Sequence, residues 1–145
     1  MKVKIQVDPE ITEEYAEFHV RKITDDVSRF AEIIEKSGSV LTGTDQHDRI
    51  VIIHPDEIVS LYAEKKWCRI LTETADYGCR KRLYELEDLL GPDFMRISKS
   101  IVVNARKIKS VEAVFNGMLL LHMVNGSKEY VSRTYLPNLK SFLGI

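Results

Sequence analysis

Cysteine is scarce in this sequence. Cys68 and Cys79 are the only two, eleven positions apart and outside any Cys-x-x-Cys pair, so no disulfide framework and no thiolate zinc knuckle is expected. The four histidines fall in no ligand spacing; His47 and His54 sit singly in polar turns, where a solvent-facing role fits best. No glycine-rich phosphate cradle occurs, and no nucleophile stands at a readable spacing from a base. The chain is therefore expected not to be an enzyme, with no catalytic residue, cofactor or metal. Nor is there a run of eighteen apolar residues or an apolar stretch after Met1-Lys2-Val3-Lys4-Ile5, which predicts a cytoplasmic protein without membrane insertion.

Net charge is also small, formally −1, which by itself argues against a polyanion partner. The average conceals a polarity. Residues 1–64 hold 7 Lys/Arg against 14 Asp/Glu, whereas residues 65–145 hold 14 against 8. A basic C-terminal portion joined to an acidic N-terminal one suits a nucleic-acid surface with a repelling back.

With 44% apolar and 30% charged residues over 145 positions, the composition is that of one globular domain with a short appendage. Met1 to Asp8 alternates apolar and polar at Val3, Ile5 and Val7, predicting a strand that Tyr15–Val20 could pair with as a hairpin. A helix follows, with Thr24 as N-cap, Asp25 and Asp26 in the first turn, an apolar face of Val27, Phe30, Ala31, Ile33 and Ile34, and Ser37-Gly38 as its stop. Residues 1–38 thus read as a β-β-α extension, and residues 39–145 as the main domain.

That domain is predicted to be mostly β with short helices. Strands are expected over Val40–Thr44, Arg49–Ile53 and Val59–Ala63, then Ile70–Glu73 paired with Tyr77–Arg80. Leu83, Leu86, Leu89 and Leu90 mark one face of a helix closed by Gly91-Pro92. Asn116-Gly117 and Asn125-Gly126 punctuate a meander of Ser110–Phe115, Met118–Val124 and Lys128–Ser132. Pro137 suits the first turn of a terminal helix with Leu136, Leu139, Phe142 and Leu143 buried.

At the centre lies Phe94-Met95-Arg96-Ile97-Ser98-Lys99-Ser100-Ile101-Val102-Val103-Asn104. A cationic, hydroxyl-rich loop (Arg96, Ser98, Lys99, Ser100) is held between an aromatic anchor and a β-branched strand, a composition suited to phosphate or base-edge contact. Glu64-Lys65-Lys66-Trp67-Cys68-Arg69 is a second loop with the basic-plus-aromatic make-up of a nucleic-acid contact. No amphipathic helix carries the basic face of a helix-turn-helix reader.

The central stretch resembles the signature of the LytTR family of bacterial DNA-binding domains, typically Phe-x-Arg-Ile-His-Arg-Ser-x-x-Val-Asn. Pro55-Asp56-Glu57-Ile58 leading into a strand, the leucine-rich helix at 83–90, and Val131-Ser132-Arg133-Thr134-Tyr135 resemble further steps of the family pattern, in order, from about Asp48 to Leu143. The resemblance implies a stand-alone LytTR-like fold, since 38 residues are too few for a receiver domain. It implies a sequence-specific regulator of transcription that reads the major groove of double-stranded DNA through inter-strand loops, on paired repeat sites. Lys66, Trp67 and Arg69 would serve in the upstream loop, Ser98 and Lys99 in the central one, and Arg133 and Thr134 at the last strand's exit. Thr134 departs from the arginine typical of the family there. Arg106, Lys107 and Lys109 would touch phosphate. A homodimer and a regulatory partner protein are the protein partners to consider. The rival reading is a protein-interaction module that docks a partner through the acidic N-terminal unit.

Overall fold

A computed structural model describes residues 1–36 and 40–145. Its first helix, α1 (Asp25–Lys36), starts where the sequence places it. The Thr24 hydroxyl accepts the Val27 N–H at 3.3 Å, and Asp25 and Asp26 occupy the positive end of the helix dipole. The expected stop at Ser37-Gly38, and with it the boundary between residues 38 and 39, lies outside the described residues.

The two expected N-terminal strands are corrected. The chain turns at Asp8, where its carbonyl accepts the Ile11 N–H at 3.3 Å, but neither Met1–Asp8 nor Tyr15–Val20 forms a strand. Val3, Ile5 and Val7 stay 86%, 84% and 84% exposed. Alternation gives a ribbon one apolar face, yet a two-stranded hairpin needs a third strand or a helix to cover that face. Here none does.

Among the described residues ten strands form two antiparallel sheets. The large sheet holds β1 (Leu41–Thr44), β2 (Ile50–Ile53), β3 (Ile58–Ala63), β4 (Cys68–Thr72), β5 (Asp76–Cys79), β6 (Phe94–Ser98) and β7 (Ile101–Asn104), in the order β2-β1-β5-β4-β3-β7-β6. The small sheet is the expected meander, β8 (Ile108–Ala113), β9 (Leu119–Met123) and β10 (Lys128–Tyr130). The helices α2 (Leu83–Leu90) and α3 (Leu136–Leu143) lie where leucine spacing, Gly91 and Pro137 place them.

Two cores explain the unbroken apolar runs. Ile58, Leu61, Ile70, Phe94 and Val102 join Leu83 and Leu86 of α2 on one face of the large sheet. Val59, Ile97 and Val103 join Leu119, Leu121 and Met123 of the small sheet and Leu139 of α3 on the other. Successive strand residues point to opposite faces, so a strand buried on both sides must be apolar at nearly every position. Ile58-Val59 and Val102-Val103 are such pairs. Each fully buried aliphatic side chain contributes about 1.5–3 kcal/mol. At Gly43 in β1 the neighbours come so close that a Cβ would lie 2.7 Å from Ile53 Cδ1 and 2.9 Å from Tyr77 Cβ, so only glycine fits between β2 and β5.

Candidate nucleic-acid interface

Strand directions decide which loops meet. In β3–β7 pairing Tyr62 lies opposite Ile101, so the β3–β4 turn (Glu64 to Trp67) and the β6–β7 turn (Lys99-Ser100) leave the same end of the sheet. Two backbone hydrogen bonds bind the loops there: Ala63 N–H donates to the Ser100 carbonyl at 2.8 Å, and Ser132 N–H donates to the Ile97 carbonyl at 2.8 Å. The second joins the exit of β10, with Arg133 and Thr134, to the end of β6. Lys66, Trp67, Ser98, Lys99, Arg133 and Thr134 thus gather at one end, Lys66, Lys99, Arg133 and Thr134 exposed.

The central loop is tighter than the sequence suggests. Arg96 and Ser98 belong to β6, which leaves Lys99-Ser100 as a two-residue connection between Ser98 and its partner Ile101. Neither residue has the positive φ of the hairpin turns that match strand twist. The register shift between Arg96 and Ser98 makes Ile97 a bulge residue, which adds twist and sinks Ile97, 0% exposed, into the second core.

Arg96 accordingly is not a loop cation. Its Nε donates to Glu87 Oε1 of α2 at 2.6 Å, its Nη2 also pairs with that carboxylate, and its Nη1 donates to the Lys99 carbonyl at 2.6 Å. The planar guanidinium spans helix and turn at once, a geometry an ammonium cannot copy. Arg96→Ala is expected to lower stability by about 1–3 kcal/mol, the worth of charge-assisted hydrogen bonds, and to weaken duplex preference by loosening Lys99. Arg96→Lys should rescue neither the thermal melt nor the preference; full rescue would refute the bracing role.

The remaining expected residues divide. Arg69 lies within β4 rather than in the loop; its guanidinium pairs with Glu64 at 3.4 Å and Asp76 at 4.0 Å and stacks over Tyr62 at 5.5 Å. Trp67, 42% exposed, carries the Arg80 guanidinium 4.9 Å above its ring centroid. Arg106 and Lys107 do not join the group. They follow β7 at its far end, about 13 Å of strand from the Lys99 turn. There Arg106 pairs with Asp93 at 2.9 Å and Lys107 with Glu73 at 3.5 Å. Lys109 lies in β8 of the small sheet. Sequence order put Arg106 and Lys107 beside the signature, but a strand carries its two ends apart.

The two thiols stand opposite each other in β4 and β5, both buried, and burial followed by the neighbouring Cys79 pushes the Cys68 thiol up. Among the described residues no group of three or more His, Cys, Asp or Glu could hold a metal ion, and no helix is long and apolar enough to cross a membrane.

Comparison with known proteins gives this geometry its class. The sequence model of the LytTr DNA-binding domain matches residues 48–144. A solved LytTr DNA-binding domain from Bacillus cereus superposes with a TM-score of 0.68 at 29% identity, covering 74% of this chain and 98% of that one. An uncharacterized HTH-type transcriptional regulator of Staphylococcus aureus strain bovine RF122 / ET3-1 is 30% identical over 148 residues, spanning 100% of this chain and 99% of the relative. Its counterpart in strain NCTC 8325 / PS 47 is 29% identical with the same coverage. These findings define a mostly β, DNA-binding regulator of transcription. The chain belongs to the LytTR family of DNA-binding domains. The relatives' names specify a helix-turn-helix type, yet here α2 and α3 are separated by the five strands β6 to β10.

Proposed function

We propose that the protein recognises sequence in double-stranded DNA through the turns at the β3–β4 end of its large sheet, entering the major groove without a recognition helix. Lys99 and Arg133 reach base edges. Ser98, Lys66 and Thr134 flank them, and Trp67 shapes the loop. The observation that carries this reading is the pair of backbone hydrogen bonds, Ala63 to Ser100 and Ser132 to Ile97, which lock separate cationic turns into one surface. A braced backbone leaves only the cationic side chains to be ordered on binding and fixes where they start, so their contacts can discriminate between bases.

Residues 1–38 form an appendage to the reading domain in this view, and they supply contact to a second copy on paired repeats. The exposed Val3, Ile5 and Val7, with Phe30 and Ile33 of α1 at 39% and 46%, provide apolar surface for that contact. A regulator of this kind works in the cytoplasm.

Selection of bound duplexes from a random library tests the proposal. Enrichment of a motif repeated at fixed spacing, bound more tightly than a scrambled duplex at every salt concentration, is expected. Binding that fades equally for both duplexes as salt rises would reduce the interaction to polyelectrolyte attraction and refute it.

A further inference from the structure

The link between β5 and α2 holds three consecutive cations, Arg80, Lys81 and Arg82, all exposed. Cys79 pairs with Cys68, so the chain leaves β5 where it enters β4, beside the β3–β4 turn. The Arg80 guanidinium over Trp67 joins the link to that turn directly. Buried Cys79 and Leu83, each 5% exposed, anchor the backbone of the link on both sides. Among the described residues, Arg69, Arg96, Arg106 and Lys107 each sit in an ion pair, whereas Arg80, Lys81 and Arg82 are in none.

From this we infer that Arg80 and Lys81 form a phosphate-contacting flank of the duplex interface, with Trp67 as the positioning residue that holds Arg80. The inference rests on the reading that the β3–β4 end faces DNA. A cation already neutralised by a carboxylate has little to gain from a phosphate, while one without a counter-charge displaces condensed counterions from the duplex. The contact with Trp67 holds the guanidinium carbon of Arg80 over the indole, and a guanidinium carries its N–H donors in the plane of the group, where phosphate oxygens accept hydrogen bonds. The link stands beside the base-reading turns and fits the backbone strand that borders the groove, where contacts set register and carry no sequence information.

The full-length chain with Arg80→Gln and Lys81→Gln, titrated with salt on the selected target and on the scrambled duplex, tests this. Both plots of log K against log salt should become shallower by about 1.8, roughly 0.9 per lost phosphate contact, with the target-to-scrambled ratio unchanged. Trp67→Leu should recover about half of that change. Arg106→Gln with Lys107→Gln, at the far end, should leave the slope as it was. Slopes equal to those of the unsubstituted protein would overturn the inference and leave the proposed function standing; a changed target-to-scrambled ratio would also overturn it, by assigning the link to bases. If the unsubstituted protein itself shows no preference for any duplex, the proposed function fails instead.

Discussion

Lys99→Ala and Arg133→Ala are each expected to reduce the preference for a selected duplex over a scrambled one by about five- to 150-fold, corresponding to roughly 1–3 kcal/mol for a bidentate contact to a base edge. The thermal melt should hardly move. Both side chains are exposed and neither takes part in an ion pair among the described residues, so truncation removes no folded-state contact of consequence. What makes the effect large is the backbone beneath them. Lys99 rides on a two-residue connection whose carbonyl is held by Arg96, and Arg133 follows Ser132, whose N–H is fixed to Ile97. The two substitutions should also couple. Ile97 precedes Ser98-Lys99 and bonds to Ser132, so loss of one contact lets the duplex shift against the other, and the double variant should lose less than the sum. Competition binding with target and scrambled duplexes at one salt concentration measures all three variants. Unchanged preference in Lys99→Ala would remove the central turn from the reading surface.

Most elements of the main domain were legible because local chemistry and tertiary need agree there. The helix at 83–90 has leucines on one face and Gly91 with φ +88 at its end, and the turn dipeptides Asn116-Gly117 and Asn125-Gly126 bound β9. At the N-terminus the same kind of signal misleads. Val3, Ile5 and Val7 alternate as a strand does, but whether a strand forms depends on a neighbour that alternation cannot report. The candidate site divides along the same line. Its loops could be read from composition, whereas the fate of each cation could not. Glu87 and Asp93, which engage Arg96 and Arg106, become partners only through helix and strand placement. Arg80 was missed for a reason of register: pairing Ile70–Glu73 with Tyr77–Arg80 sets Arg80 opposite Ile70, whereas the strands pair Ile70 with Tyr77 and Cys68 with Cys79, which carries Arg80 out to Trp67.

The last residue of the signature, Asn104, should matter for stability and not for reading DNA. It is 4% exposed at the end of β7 remote from Lys99, where its Nδ2 donates to the Ile58 carbonyl at 2.9 Å and its Oδ1 accepts the Arg106 N–H at 3.1 Å. Ile58 begins β3 at a register shift, where this side chain donates to its carbonyl; Arg106 lies in the turn toward the small sheet. Asn104→Ala strands a buried acceptor, at about 1–3 kcal/mol, and a partly buried donor, at about 1 kcal/mol, so a total loss of about 2–4 kcal/mol is expected. For a domain of this size that lowers Tm by roughly 5–15 °C. Asn104→Asp keeps the acceptor for Arg106 but loses the donor to Ile58 and buries a charge, so it should fare no better. Below the melt, Asn104→Ala should keep its target-to-scrambled ratio, because β7 separates it from the reading turns. A variant that melts like the unsubstituted protein yet loses duplex preference would reverse the assignment and move the asparagine from scaffold to interface.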